Sequence, residues 1–380
     1  MNTALSTPEQ RLEWRNRHVL SNDKFVQGLP KIELHVHIEG TMTPELRWYL
    51  SQRHGIPLRA GSDQIPLFSE EEVRQAYKNI RGRIGAASAE GRKCFTFFEI
   101  YYGGFDLLQC EEDFFLLAVC YFERAADMNV RYCEPFFDPQ GHTRRGIPFE
   151  VIMKGFKRAS ELAERKLNVK SKWIMCILRD SPVEDAMPTY EAMLPYRDVI
   201  VGIGLDSDEL DRPPSLFHEV FKRARDDGFK ITSHCDFNQK NTHEHIRQVV
   251  EELSGNGADR IDHGMNAADR PELMETIREK DIGLTLSPCG YVRHSSEEEV
   301  FSRIRKLFDA GIKITIASDD PAYMEDNWVL HALYLVKEKC NFSNSELVQL
   351  QKNAVSICWA DEDFKDSFST ELSKFEASFS

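Results

Sequence analysis

The amino-acid sequence predicts an α/β protein built as a (β/α)₈ TIM-type barrel, with a helical cap inserted after the first strand. Eight short runs rich in β-branched residues recur along the chain, and segments with apolar residues at three- and four-residue spacing separate them. No glycine-rich phosphate loop follows an early run, which argues against a doubly wound sheet. A chain of 380 residues with 41% hydrophobic content can bury one such domain.

The strands are predicted from short apolar runs, each bounded by polar or turn-forming residues. In chain order they are KIELHVH (31–37), VRYCEPFF (130–137), KWIMCIL (172–178), VIVGIGLD (199–206), FKITSHC (229–235), RIDHG (260–264), IGLTLSP (282–288) and IKITIASDD (312–320). The segments between them predict helices, and several end at a glycine, as helix C-termini often do.

Three further segments surround this repeating pattern. Residues 41–129 are too long for one β/α unit and predict an inserted helical cap, within which GAASAEG (85–91) predicts a mobile loop tip. Residues 1–28 predict an N-terminal helical arm, and residues 342–380 predict C-terminal helices on the outside of the barrel. We expect residues 1–380 to form a single domain.

The bulk composition excludes several classes of partner. A net charge of −14 argues against nucleic acid or an anionic membrane, and no run of eighteen apolar residues predicts a membrane span. The N-terminus lacks the apolar region of a signal peptide, and nine scattered cysteines without a CxxC pair indicate reduced thiols. We therefore expect a cytoplasmic protein that acts on a small molecule. The oligomeric state does not follow from the sequence.

Residues that can bind metal or move protons gather where predicted strands end. They are His35 and His37 in the first strand, His234 in the fifth, His263 in the sixth, and Asp319 and Asp320 in the eighth. Each alone would be an ordinary hydrogen bonder or turn residue. In a barrel, however, the C-terminal ends of all strands open onto one mouth, so these side chains should meet.

Three imidazoles and one carboxylate make a ligand set for a divalent ion that leaves room for water. His35, His37, His234 and Asp319 are the predicted ligands, and the ion is expected to be Zn²⁺, although Fe²⁺, Co²⁺ and Mn²⁺ also accept such donors. A water held there would be acidified towards hydroxide. Asp319 could then accept its proton and His263 could orient the hydroxide, which leaves Asp320 to contact a substrate.

Four motifs in this order resemble the adenosine/adenine deaminase family of the amidohydrolase superfamily. They are KIELHVHIEGTMTPEL (31–46), HC (234–235), RIDHGMN (260–266) and SDDPAYM (318–324), and the similarity runs from about Leu29 to about Ala360. The resemblance implies a zinc-dependent barrel that hydrolyses the exocyclic amine of a 6-aminopurine and releases ammonia. By motif, His35, His37, His234 and Asp319 match the metal ligands, His263 matches the histidine that orients the hydroxide, and Asp320 matches the carboxylate that binds purine N7.

Two details resemble the adenine-type branch more than the adenosine-type branch. Glu39 stands where adenosine deaminases usually have an aspartate that reaches the ribose. Ser207, in VGIGLDSDELDRPP (201–214), stands where nucleoside deaminases commonly have a glycine. The resemblance therefore implies substrate contacts from Glu39 and Ser207, and it favours a free base over a nucleoside.

One departure from the family pattern affects the chemistry. The family has a glutamate three residues after the metal histidine, which protonates the ring nitrogen, whereas this chain has Phe237 in HCDF. Three explanations remain open. In the first, Asp236 acts as the catalytic acid instead and belongs to the site with His263 and Asp319. In the second, the substrate is a different amine or amide. In the third, the protein only binds its ligand.

The leading hypothesis is a zinc-dependent aminohydrolase for adenine or a related 6-aminopurine. The alternatives are a deaminase for adenosine or an N6-substituted purine, and an amidohydrolase for another heterocycle such as a pterin. The expected partner in each case is a small heterocyclic amine.

Overall fold

The computed structural model describes residues 5–80 and 94–379, so the predicted loop tip at 85–91 lies outside the described residues. The helices are α1 Pro8–Val19, α2 Lys24–Gly28, α3 Pro44–His54, α4 Glu70–Lys78, α5 Phe97–Phe105, α6 Glu111–Asp127, α7 Pro139–Thr143, α8 Phe149–Leu162, α9 Ala186–Met193, α10 His218–Asp226, α11 Thr242–Glu251, α12 Pro271–Glu279, α13 Pro288–Tyr291, α14 Glu297–Asp309, α15 Val329–Lys339, α16 Asn344–Ile357 and α17 Glu362–Ser378. The strands are β1 Lys31–Glu33, β2 Leu58–Ala60, β3 Ile65–Leu67, β4 Val130–Cys133, β5 Phe136–Phe137, β6 Lys170–Ser171, β7 Trp173–Leu178, β8 Ile200–Asp206, β9 Lys230–Cys235, β10 Arg260–His263, β11 Gly283–Leu286 and β12 Ile314–Ile316.

All eight predicted strand regions are confirmed, and they pair in parallel. One curled sheet has the order β5-β7-β8-β9-β10-β11-β12, and β1 pairs with β4. The chain just after β1 joins the two edges: the amide of His37 donates to Asp319 O at 3.0 Å, and the amide of Phe136 donates to Val36 O at 2.9 Å. These bonds place the first strand between the second and the eighth, which is the connectivity of a (β/α)₈ barrel.

The strands are covered on both faces, which explains why they read as continuous apolar runs in the sequence. Every residue of β7 is buried, from Trp173 to Leu178. The Trp173 indole stacks on Phe156 of α8 with ring centroids 4.2 Å apart, and this contact fastens α8 to the sheet. The barrel wall is therefore a rigid support for side chains at the strand ends.

The inserted cap is not purely helical as predicted. α3, α4 and α5 form as expected, but an antiparallel hairpin of β2 and β3 lies between α3 and α4. Buried Leu58 and Ala60 alternate with exposed Arg59, and this period of two extends over only three residues, so the neighbouring helical patterns conceal it. α6, the last part of the predicted insertion, packs on α8 and β4 and belongs to the helical layer of the barrel.

The two ends of the chain pack on the barrel. The Thr7 side chain caps α1 by accepting from the amide of Gln10, and His18 of α1 stacks on Tyr334 of α15 with centroids 5.4 Å apart. At the other end, α16 lies against β1 and β12. Among the described helices, none has the length and apolar character needed to cross a membrane. The division into an arm, a cap and C-terminal helices within a single domain stays a prediction.

Candidate metal centre and active-site cavity

The four predicted metal ligands meet at the C-terminal mouth of the barrel. One ligand atom from each of His35, His37, His234 and Asp319 lies within 4.8 Å of the others, and all four residues are buried. Asp319 Oδ1 is 3.3 Å from His35 Nε2 and 3.5 Å from His37 Nε2. Pairing of Val36 with Asp319 sets this geometry, because it aligns the end of the first strand with the end of the eighth.

The second nitrogen of each histidine faces an oxygen of the barrel wall. His35 Nδ1 is 2.9 Å from Thr285 Oγ1, His37 Nδ1 is 3.5 Å from Asp206 Oδ2, and His234 Nδ1 is 3.5 Å from Asp262 Oδ2. Asp262 in turn accepts hydrogen bonds from Thr232 and Thr285. The hydrogen bond to Thr285, which itself donates to Asp262, keeps the proton of His35 on Nδ1 and leaves the lone pair of its Nε2 pointing into the cluster, whereas Asp206 and Asp262 lie at the limit of hydrogen-bond distance from His37 and His234.

The donor set fits a divalent cation. His37 Nε2 and His234 Nε2 approach to 3.1 Å, so a positive charge between them could accept a lone pair from each. Burial lowers the pKa of His37 to about 3 and that of His234 well below its usual range, so neither is that positive charge. Burial alone would raise the pKa of Asp319, but the surrounding His35, His263 and His37 hold it below its usual range. Neutral nitrogens with an ionised carboxylate are metal ligands of the expected kind.

His263 lies at the centre of a chain of hydrogen bonds beside the cluster. Its Nε2 is 3.0 Å from Asp236 Oδ1 and 3.8 Å from Asp319 Oδ2, and its Nδ1 is 2.8 Å from the hydroxyl of Tyr291. Burial lowers the pKa of His263, but the hydrogen bond and charge of Asp236 and the charge of Asp319 outweigh that effect and raise it overall. The structure thus brings all three predicted catalytic residues together.

Two of these groups adopt backbone conformations that side chains rarely take. Asp319 has φ 64° and His263 has φ 65°, both in the left-handed region. Such strain is commonly kept at functional sites, where the surrounding structure enforces it. Here it turns each side chain from its strand end towards the cluster.

A cavity of about 880 Å³, including its open mouth, lies over the cluster and has two contrasting walls. Ring and apolar side chains from the cap and from two barrel loops form one wall: Ile80, Phe97, Phe98, Phe237, Tyr291 and Met324. Carboxyl groups of Asp138, Asp206 and Asp320 form the other. A flat heterocycle with polar ring atoms on one edge would match this arrangement.

The surroundings of the carboxyl wall raise the pKa of all three of its groups. Burial raises the pKa of Asp138 to about 7, with the charge of Glu39 adding to the effect. Burial also raises the pKa of Asp206 and Asp320 well above their usual range, helped by Asp138 and Asp319 respectively. One buried oxygen of each of the three groups has no hydrogen-bond partner among the described residues.

The three predicted substrate contacts occupy different depths. Asp320 and Ser207 line the cavity. Ser207 has φ 71° and its Oγ is 2.6 Å from the hydroxyl of Tyr102. Glu39 lies behind the wall, where its Oε1 accepts from the amide of Asp138 at 3.2 Å and is 2.9 Å from His142 Nε2. A direct substrate contact from Glu39 stays a prediction.

Gly40 lies directly against Asp320, whose carboxyl group lines the cavity. A Cβ atom at this position would lie 2.1 Å from Asp320 Oδ1 and 2.9 Å from Asp320 Cα. No side chain fits at that distance without displacing Asp320. The glycine therefore sets where the carboxyl of Asp320 stands.

Sequence reasoning missed several of these residues. Asp138 follows a strand end and Asp206 is the last residue of a strand. The criterion that pointed to the predicted metal ligands, a polar side chain at a strand end, could therefore also have pointed to these two residues. The bond of Tyr291 to His263 depends on the path of a loop, which the sequence does not specify. Asp262 and Thr285 lie inside strands, and nothing in the sequence separates them from other buried polar residues.

Comparison with known proteins identifies relatives of similar length. A family model described as adenosine deaminase matches residues 30–375. An uncharacterised deaminase of Schizosaccharomyces pombe is 40% identical over 362 residues, which cover 94% of this chain and 98% of the relative. An adenine deaminase of Acinetobacter baylyi is 35% identical over 362 residues, which cover 93% of this chain and 100% of the relative.

Solved structures show the same architecture. An adenine deaminase from Arthrobacter aurescens superposes with a TM-score of 0.81 at 28% identity, covering 92% of this chain and 99% of that one. An amidohydrolase from Burkholderia ambifaria with bound Zn superposes with a TM-score of 0.80 at 26% identity, covering 100% of this chain and 96% of that one.

Proposed function

The chain belongs to the adenosine deaminase family and is a hydrolytic deaminase, and from this premise we propose that its substrate is adenine or a related 6-aminopurine. The convergence of His35, His37, His234 and Asp319, with each second histidine nitrogen facing an oxygen, is the observation that carries the proposal. The carboxyl wall supports it, because protonated and ionised carboxyl groups together can donate to and accept from the nitrogens of a purine edge.

We propose Zn²⁺ as the resident ion, held by His35, His37, His234 and Asp319. Three nitrogens and one oxygen suit Zn²⁺ and leave a position for water, and a structural relative was crystallised with bound Zn. When bound, the ion would lower the pKa of a water molecule towards neutrality and so supply a nucleophile.

The side chains of the cavity then move two protons. Hydrolysis replaces the exocyclic amine by oxygen, and the two protons of the attacking water pass to the ring nitrogen and to the leaving amine, which departs as ammonia. Asp319 Oδ2, which faces His263, accepts the first proton because its carboxylate is held ionised. His263 orients the attacking water through Nε2.

We propose that Asp236 replaces the missing glutamate as the group that protonates the ring. Asp236 lines the cavity, and its Oδ1 shares a hydrogen bond with His263 Nε2, which gives it a route for receiving a proton. Phe237 also lines the cavity but has no exchangeable proton, so it can only pack against the ring. Tyr291 fixes the orientation of His263 from the opposite side.

Purified protein loaded with Zn²⁺ tests the proposal when adenine, adenosine and N6-methyladenine are supplied separately. We expect one ammonia per adenine or adenosine consumed and one methylamine per N6-methyladenine consumed, with adenine turned over fastest. His263→Ala should abolish the activity, whereas His243→Ala, at a half-exposed position paired with Asp269, should leave it intact. A fully loaded protein that releases no amine from any of the three would refute the proposal.

A second candidate is hydrolysis of another heterocyclic amine, such as a pterin. Phe237 favours it, because an apolar side chain stands where a 6-aminopurine deaminase of this family has its acid. Ammonia release from a panel of aminopyrimidines and aminopterins distinguishes the two candidates. Turnover of a panel member faster than adenine would support the second.

We also propose a cytoplasmic location. All nine cysteines lie in the described part of the chain and all are free thiols, as expected in a reducing compartment. Fluorescence microscopy of the tagged protein in its host cell would test this.

A further inference from the structure

Helix α1 lies outside residues 30–375, the range that the family model matches, yet it reaches the rim of the cavity. Arg11 of α1 donates from Nη2 to Glu325 Oε1 at 3.0 Å, and Arg293 donates from Nη1 to the same oxygen at 2.7 Å. The three side chains are only 5–6% exposed. A buried carboxylate between two guanidinium groups is a stiff connection, because both groups make charge-assisted hydrogen bonds to the same oxygen and removing Glu325 deprives both of their shared counter-charge.

This connection ends at residues that form the cavity. Arg293 lines the cavity and also donates to Tyr323 O and to Ile80 O of the cap, each at 3.2 Å. The hydroxyl of Ser6, just before α1, donates to Val292 O at 2.8 Å. Val292 follows Tyr291, the residue bonded to His263. The arm thus contacts the loops after the seventh and eighth strands and, through Arg293, the cap.

The loop after the eighth strand needs such support. Glu325 and Asp326 have φ 52° and 57°, two consecutive residues in the left-handed region. Both are held by α1, since Arg11 pairs with Glu325 and Arg15 pairs with Asp326. Met324, immediately before them, lines the cavity. Without these partners the loop would relax towards less strained conformations and carry Met324 with it.

We propose that α1 is a brace for the substrate-binding rim and that Arg11 and Glu325 are positioning residues for substrate binding. The predicted metal ligands stand on barrel strands or directly after them, and in the described part of the chain none of them is a hydrogen-bond or ion-pair partner of Arg11 or Glu325. Loosening the brace should therefore weaken substrate binding more than it slows the chemical step. The kinetic part of this inference rests on the proposed function, while the structural part does not.

Arg11→Met tests the brace in the full-length, Zn²⁺-loaded protein with adenine as substrate. We expect KM to rise on the order of tenfold and kcat to fall less than about threefold, because rim contacts are lost while the reacting groups keep their positions. Arg17→Met is the matched control: Arg17 lies on the same helix and pairs with Glu338, but that pair is exposed and does not reach the rim. It should keep the wild-type KM. Arg11→Lys should restore part of the loss.

Hydrogen exchange gives a readout that needs no substrate. Amides of residues 287–295 and 321–328 should exchange faster in Arg11→Met than in wild type or Arg17→Met, and those of β9 should be unchanged. If Arg11→Met does not fold, the double variant Arg11→Met/Glu325→Gln is used, which removes the charges of Arg11 and Glu325 together and leaves the bonds of Arg293 to Tyr323 O and Ile80 O. It should show the same KM and exchange changes.

Wild-type KM with wild-type exchange in the tested variant would overturn the proposal. A fall in kcat at constant KM would also overturn it, because that is the result of a smaller folded fraction. If wild-type protein turns over no purine, the proposed function fails, and the exchange comparison still decides whether the brace exists.

Discussion

The site is made of two regions that differ in what supports them. The metal ligands stand on barrel strands or directly after them, where pairing such as that of Val36 with Asp319 fixes their positions. Asp236, Phe237 and Tyr291 follow the strands in loops, and there the chain departs from its family's acid motif. The difference indicates that strands preserve the chemistry of the metal, while loops are free to alter how protons and substrates are handled.

Metal removal should have the largest effect, because the strand region has no function without its ion. Dialysis against a chelator should reduce activity to background, and Zn²⁺ should restore it. The midpoint of thermal unfolding should also fall, since an ion bound only to the folded state stabilises it. Full activity in protein shown by elemental analysis to be free of metal would show that the strand region does not act through a metal ion.

Asp236→Asn probes the loop region. We expect kcat to fall about 10²–10⁴-fold, because asparagine retains a hydrogen bond to His263 but cannot transfer a proton. The zinc content should not change. Asp211→Asn is the matched control, since Asp211 is exposed and its carboxylate pairs with Lys240 on the surface. Turnover equal to that of wild type would remove Asp236 from the mechanism.

Asp262→Asn tests how strongly the strand region supports the metal ligands. Asp262 faces His234 Nδ1 and accepts from Thr232 and Thr285, so its loss disturbs two ligand histidines at once. We expect zinc affinity to fall about 10–100-fold. A competition titration with a fluorescent chelator measures this.

The control for that titration is Asp281→Asn, which changes an exposed aspartate paired with Lys313. Normal zinc affinity with a large loss of kcat in Asp262→Asn would instead assign Asp262 to the chemical step.

Tyr291→Phe should have the smallest effect. It deletes only the hydroxyl that lies 2.8 Å from His263 Nδ1 and keeps the ring that packs against Phe237. A net hydrogen-bond contribution of about 1 kcal/mol corresponds to roughly a fivefold loss of kcat. Tyr190→Phe, which deletes a hydroxyl bonded to Asp227 far from the cavity, is the control. Equal kinetics in both variants would show that Tyr291 does not position His263.

How much could be predicted from the sequence follows the same division. All eight strand regions were found, because buried parallel strands leave continuous apolar runs. The four metal ligands were found because barrel topology brings strand ends together whatever the intervening segments do. Hairpin β2–β3 was missed because three-residue strands carry too little periodicity to outweigh adjacent helices.

The contacts that could not be predicted from the sequence depend on the geometry of loops. The hydroxyl of Tyr291 reaches His263 only because α13 turns the chain back over the mouth. The substrate contact expected from Glu39 stays a prediction, and the turn after the first strand, which no local pattern specifies, places this residue behind Asp138 and beside His142. Arg11 and Glu325 are 314 residues apart, and no local pattern signals their pairing.

Gly40 has a consequence for attempts to change substrate preference by directed evolution. Because a Cβ atom there would collide with Asp320, every substitution at codon 40 would be scored as inactive whatever its effect on selectivity. Libraries should leave that codon fixed and diversify the aromatic wall, where Phe97, Phe98 and Phe237 can be exchanged without touching the floor. Substitutions that change substrate preference are thus best sought on the aromatic wall of the cavity.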